Sequence, residues 1–159
     1  MHLKDPDTLS IHSTCATQTQ EIAACLGRGL RGGEILLLRG TPGAGKTTFV
    51  QGLARSLGIT GRVKSPSFTI LYTYETGRIP LYHFDFYRLD GTGGEDFEEY
   101  FHTGAICAVE WPDNLPDIAP QEYLEICIHS TAEDARCICF HACGARYRQL
   151  LEDLKPCEC

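Results

Sequence analysis

The chain has 159 residues, of which 43% are hydrophobic and 22% charged; that size and balance fit one globular domain spanning 1–159 and exclude disordered and collagen-like chains. The net charge of −7 argues against a protein that grips nucleic acid, DNA included, over its whole surface, because phosphate binding needs a basic footprint. No apolar run approaches the ~18 residues of a membrane span, and the start MHLKDPDTLS has neither the basic nor the apolar region of an export signal, so the expectation is a cytoplasmic protein without a membrane partner.

In chain order, the spacing of Ile22, Leu26 and Leu30 predicts a short amphipathic helix from Thr17 to Leu30, stopped by Arg31-Gly32-Gly33. The run Ile35 to Leu38 between glycines predicts a strand buried on both faces, as in a parallel sheet covered by helices. Phe49, Val50, Leu53, Ala54 and Leu57 form one stripe of a helix from Lys46 to Leu57, with Gly58 just beyond its end. Two further strands, Thr69 to Tyr74 and Ile79 to Phe86, read as a hairpin through Glu75-Thr76-Gly77. An acidic stretch from Asp90 to Tyr100 leads into a short helix, and Ala105 to Val109 is another buried strand. After the prolines at 112, 116 and 120 come alternating strands over Tyr123 to Ile128 and Arg136 to Phe140, then a helix from Ala145 to Leu154.

The alternation of buried strand, glycine-rich turn and helix is joined at one point by a specific pattern. Gly40-Thr41-Pro42-Gly43-Ala44-Gly45-Lys46-Thr47 fits G-x-x-x-x-G-K-[ST], and it sits where that pattern has meaning, after a strand and opening a helix. Glycines at 40, 43 and 45 let successive backbone N–H groups turn inward, and the helix start adds its positive dipole end. Lys46 is placed to reach the β- and γ-phosphates, and the Thr47 hydroxyl to ligate Mg²⁺. Such a site also needs a carboxylate at the tip of a neighbouring buried strand; Asp85 and Glu110 both stand at such tips.

Charge is unevenly distributed. Residues 1–80 hold nine Lys/Arg against five Asp/Glu, a balance of +4, and residues 81–159 hold five against sixteen, a balance of −11. An anionic ligand therefore belongs to the first half, and a cation to carboxylates of the second. No Asn-Lys-x-Asp or Thr-Lys-x-Asp tetrad for reading guanine occurs, which favours ATP/ADP. Trp111, the sole tryptophan, follows Glu110 and offers a face for stacking on the nucleotide or a packing surface.

Taken together and in order, GTPGAGKTTF, KSPSFTI, YHFDFYRLD and VEWP resemble the bacterial TsaE family, the small ATPase of tRNA threonylcarbamoyladenosine synthesis. The resemblance implies a P-loop NTPase-like α/β fold, a mixed sheet with a parallel core and antiparallel strands flanked by helices. It also implies weak hydrolysis of ATP to ADP and phosphate with Mg²⁺ and partners of the sugar-kinase type that form the threonylcarbamoyl transferase complex; the acidity of the chain adds the expectation that tRNA is met indirectly, in contact shared with those partners. By position, Gly40, Thr41, Pro42, Gly43, Ala44, Gly45, Lys46, Thr47 and Thr48 would hold the nucleotide, Ser65 to Thr69 would be the switch segment, and Thr19 and Trp111 would lie near the nucleotide, Trp111 against adenine. Lys46, Asp85 and Glu110 would be catalytic, with Thr47, Asp85 and Glu110 at the metal. Two departures stand out: the family usually has Asp-Leu where this chain has Thr41-Pro42, and Thr where it has Ser67. Pro42 removes a backbone N–H from the loop.

A small-molecule kinase on the same loop is the alternative. It would need arginines closing over the phosphates, and between the loop and Glu110 the chain has only Arg55, Arg62, Arg78 and Arg88. Nine cysteines, an odd number in a chain without export features, read as mostly free thiols. Cys137, Cys139, His141 and Cys143, with Cys157 and Cys159 at the end, offer a weak zinc option against plain packing in an alternating strand. His83 reads as a strand histidine and His102 as a surface one, neither with a catalytic part.

Overall fold

The computed structural model of the protein describes residues 5–155. One seven-stranded sheet organises them: β1 (Thr8–Ser13), β2 (Ile35–Arg39), β3 (Leu71–Tyr74), β4 (Leu81–Asp85), β5 (Ile106–Glu110), β6 (Tyr123–Ser130) and β7 (Arg136–Cys143), in the spatial order β1-β7-β6-β2-β5-β4-β3. The four central strands β6, β2, β5 and β4 run parallel. The flanking pairs β1–β7, β6–β7 and β3–β4 are antiparallel. The mixed α/β architecture expected from sequence is therefore the one observed.

Helices α1 (Ala16–Arg28), α2 (Lys46–Ser56) and α3 (Ala145–Leu154) cover one face. Their apolar stripes, among them Ile22, Leu26, Phe49, Leu53 and Leu151, close over Leu36, Leu38, Ile106, Ala108 and Ile126 of the sheet. The opposite face of β2, β4 and β5 carries Leu37, Phe84, Cys107 and Val109. It is covered by the segment after β4, whose single turns of 3₁₀-helix at Gly94–Asp96 and Glu98–His102 bring aromatic rings onto Phe84, with Phe101 stacked at 5.2 Å between centroids. Both faces of the parallel strands are thus dry, which is why Ile35 to Leu38 and Ile106 to Val109 are continuous apolar runs.

Every predicted helix and strand is present within a few residues of its expected bounds. One element escaped notice: β1, whose alternation of exposed and buried residues over Thr8–Ser13 is a period-2 signal six residues long. Six cysteines, at 15, 107, 127, 137, 139 and 143, are free thiols. Cys25 departs from that expectation, being disulfide-bonded, and Cys157 and Cys159 lie outside the described residues. Among the described residues no helix is long and apolar enough to cross a membrane.

Candidate functional site

The turn between β2 and α2 is shaped by glycines. Gly40 has φ of 156°, and a Cβ there would meet the Ile128 carbonyl oxygen at 2.7 Å; Gly45, which caps α2, has φ of 110°. Only glycine takes both positions without strain. The loop is braced from outside by Arg136, whose Nε donates to the Ala44 carbonyl at 2.7 Å, and internally by Lys46, whose ammonium donates to the Gly40 carbonyl. An ammonium held on a carbonyl of its own loop is ready to exchange that partner for an anion.

Facing this loop, the ends of β4 and β5 present Asp85 and Glu110, which are cross-strand partners in the parallel register. Loop and strand ends together enclose a cavity of ≈ 370 Å³, lined among others by Gly43, Lys46, Thr47, Ser67, Asp85 and Glu110. Its charges are largely withdrawn from water. Burial pulls Lys46 below the usual lysine range, although Glu110 and Asp85 work in the other direction. Burial likewise pushes the Asp85 carboxyl up, the Tyr87 N–H on its Oδ1 holding it down in part and neighbouring Glu110 adding to the rise. Two buried carboxylates opposite one lysine and one hydroxyl make an oxygen-rich corner that suits a hard divalent cation, and the ammonium at the start of α2 suits phosphate. The residue set therefore fits a Mg²⁺-bound polyphosphate.

Of the residues singled out by sequence, Pro42, Gly43, Gly45, Lys46, Thr47, Thr48, Asp85, Glu110 and Trp111 come together around this cavity, and Ser65 and Ser67 of the expected switch segment line it too. Gly40, Thr41 and Ala44 shape the loop from behind, Ala44 N–H donating to the Thr41 carbonyl. Thr19 is not part of the cavity. It is buried, its hydroxyl 2.7 Å from that of Ser13, and it lines a second, smaller hollow on the other side of the loop with Thr48, Asp134 and Arg136. Trp111 stands at the opposite end, its ring 4.4 Å from the Lys46 ammonium and 4.8 Å from the Tyr87 ring. Its ring therefore covers the lysine expected to serve the β- and γ-phosphates. A left-handed backbone at Trp111, φ 57°, holds it there.

Three contributors were not foreseen. Arg136 and Ser13 lie on strands remote in sequence from the loop. His83 reads in sequence as a plain strand residue, yet its Nε2 is 2.7 Å from Glu110 Oε2; its place two residues before Asp85, on the same face of β4, is the available signal. His102 is exposed, as expected. Cys137 and Cys139 have sulfurs 3.7 Å apart, but among the described residues no three His, Cys, Asp or Glu side chains form a group that could hold a metal ion.

A mixed sheet with a parallel core, a glycine-rich strand-to-helix loop and acidic strand ends defines an α/β protein of the P-loop NTPase-like class. Comparison with known proteins makes this specific. The family model described as threonylcarbamoyl adenosine biosynthesis protein TsaE matches residues 13–138, and the chain belongs to that family. It is 44% identical over 138 residues to the tRNA threonylcarbamoyladenosine biosynthesis protein TsaE of Bacillus subtilis, covering 86% of this chain and 87% of that one. It is 50% identical over 95 residues to the protein of that name from Synechocystis, covering 56% and 60%. A crystal structure of Bacillus subtilis YdiB superposes with a TM-score of 0.84 at 39% identity, covering 98% of both chains.

Proposed function

We propose that the chain works in tRNA threonylcarbamoyladenosine biosynthesis, the role its family carries, as a cytoplasmic, Mg²⁺-dependent ATPase acting on the partner transferase complex. The observation that carries this reading is the cavity in which Lys46 and Thr47 face Asp85 and Glu110. In it the loop amides and Lys46 bind the β- and γ-phosphates of ATP and draw negative charge toward the terminal oxygens. Thr47 and Asp85, with Glu110 beside them, are the residues that would hold Mg²⁺. When bound, the ion neutralises charge on the phosphates. Glu110 orients a water for in-line attack. Thr19 and Thr48, in the hollow beside the loop, and Trp111, at the other end of the cavity, are the residues that would border the nucleoside.

The partner reading is supported by the surface next to the cavity. Phe68, directly after Ser67, is 84% exposed, and Tyr87 is 49% exposed; Arg88 stacks over the Phe68 ring at 4.4 Å and donates to the Ser67 carbonyl. Exposed aromatics beside an arginine are residue types enriched where proteins dock. The same arrangement disfavours a kinase, because Arg88 is engaged with Phe68, and among the described residues no arginine lines the cavity. The deciding experiment is reconstitution of threonylcarbamoyladenosine on tRNA with the sugar-kinase-like partners. Multiple turnovers are expected only when this chain and ATP are both present, and equal turnover without the chain would overturn the proposal.

A further inference from the structure

His83 has no exposure to solvent, and its Nδ1 is, among the described residues, the buried side-chain nitrogen or oxygen left without a hydrogen-bond partner. Leaving a buried polar atom unpaired is unfavourable, and an aromatic or β-branched residue would fill this strand position without that penalty. What the histidine does with its other nitrogen must therefore matter more than what it forfeits with this one. That nitrogen, Nε2, lies 2.7 Å from Glu110 Oε2. The contact is diagonal across the strands, since His83 is in register with Ala108 and Asp85 with Glu110. Diagonal neighbours on one sheet face are within reach of long side chains, and the small Ala108 opposite the imidazole leaves the way open.

The two carboxylates of the cavity are consequently held by different means. Asp85 has Oδ1 on the Tyr87 backbone N–H at 2.9 Å, whereas Glu110 is held by a side chain. We propose that His83 is a positioning residue for turnover: its Nε2–H donates to Glu110 Oε2, fixes the carboxylate, and leaves Oε1 for the cavity, where it orients the attacking water. A neutral imidazole that donates from Nε2 carries its acceptor at Nδ1, the atom left unpaired. The inference rests on the hydrolytic reading above.

Two substitutions test it on the full chain. His83→Phe fills the volume without a donor, and His83→Gln returns an N–H at about the reach of Nε2. For His83→Phe, kcat should fall on the order of ten-fold to a hundred-fold while KM for ATP stays within about three-fold, and His83→Gln should recover much of the loss. Thermal unfolding of both variants checks that the fold is retained. Turnover of His83→Phe within about two-fold of wild type, or a His83→Gln no better than His83→Phe when both are folded, overturns the inference. Imidazole ¹⁵N spectra of the wild type need no variant: Nε2–H with bare Nδ1 is expected, and the opposite tautomer overturns it. Glu110→Gln separates the two claims. If it is slow and His83→Phe is not, only the inference falls; if it turns over like wild type, the hydrolytic reading falls and the inference with it.

Discussion

The two walls of the cavity are built on opposite plans. The loop wall, residues 40–48, is one contiguous stretch, ordered by glycines and braced by Arg136. The strand wall, the ends of β4 and β5, is made of side chains that meet only because Asp85 and Glu110 share a register, and one of them is held by His83 from two residues back. On the proposed function, the difference assigns binding and turnover to separable parts of the molecule: the loop would grip phosphate irrespective of what the strands do, and the strand wall would govern chemistry on what is gripped.

Breaking the loop wall should have the largest effect. Lys46→Ala removes the only side-chain cation lining the cavity among the described residues and should lower ATP affinity on the order of a hundred-fold or more by calorimetry, since each charge-assisted contact is worth about 1.5–3 kcal/mol and the lysine serves two phosphates. Next comes the strand wall: Glu110→Gln should cut turnover about a hundred-fold and leave nucleotide affinity within a few-fold, measured by phosphate release and calorimetry on the same preparation. Loss of both together would show that the walls are not separable. Gly40→Ala forces a Cβ against the Ile128 carbonyl and should cost about 1–3 kcal/mol of stability, read as a fall in Tm, with weakened binding following from the distorted loop.

Asp85 gives a smaller effect with a definite sign. Burial raises its carboxyl above the ordinary 3.8, so the ionised group opposes folding at neutral pH, and relief comes as pH falls through the raised value. Asp85→Asn keeps the acceptor for the Tyr87 N–H and should therefore raise Tm near neutral pH, with the gain disappearing below the ordinary aspartate value as the wild-type group is protonated in both states. A gain that persists in acid would mean that packing rather than charge is responsible. The smallest change expected is Pro42→Leu, which returns a backbone N–H to the loop and should tighten phosphate binding by no more than a few-fold.

The same contrast explains what was legible in the sequence. The loop, α2 and the apolar strands announce themselves because their signals are local: a fixed spacing of glycine, lysine and threonine, a 3.6-residue stripe, a short apolar run. Asp85 and Glu110 were found through their place at the tips of such runs. His83 was missed because its partner is 27 positions away and depends on how β4 and β5 align, and Arg136 was missed because the return of β7 beside the loop is a matter of strand order. Trp111 is visible only in part: adjacency to Glu110 says that the ring is near the site, whereas the left-handed turn that carries it over Lys46 is a tertiary outcome. β1 was overlooked although its alternation was in plain view.

The central claim is that nucleotide phosphates occupy the cavity between the two walls, and Trp111 reports on that place directly. As the sole tryptophan, with its ring 4.4 Å from the Lys46 ammonium, it should change its emission saturably when ATP and Mg²⁺ are added to the wild-type protein, and Lys46→Ala should abolish the change. An unaltered emission together with no heat of binding in calorimetry would contradict the account.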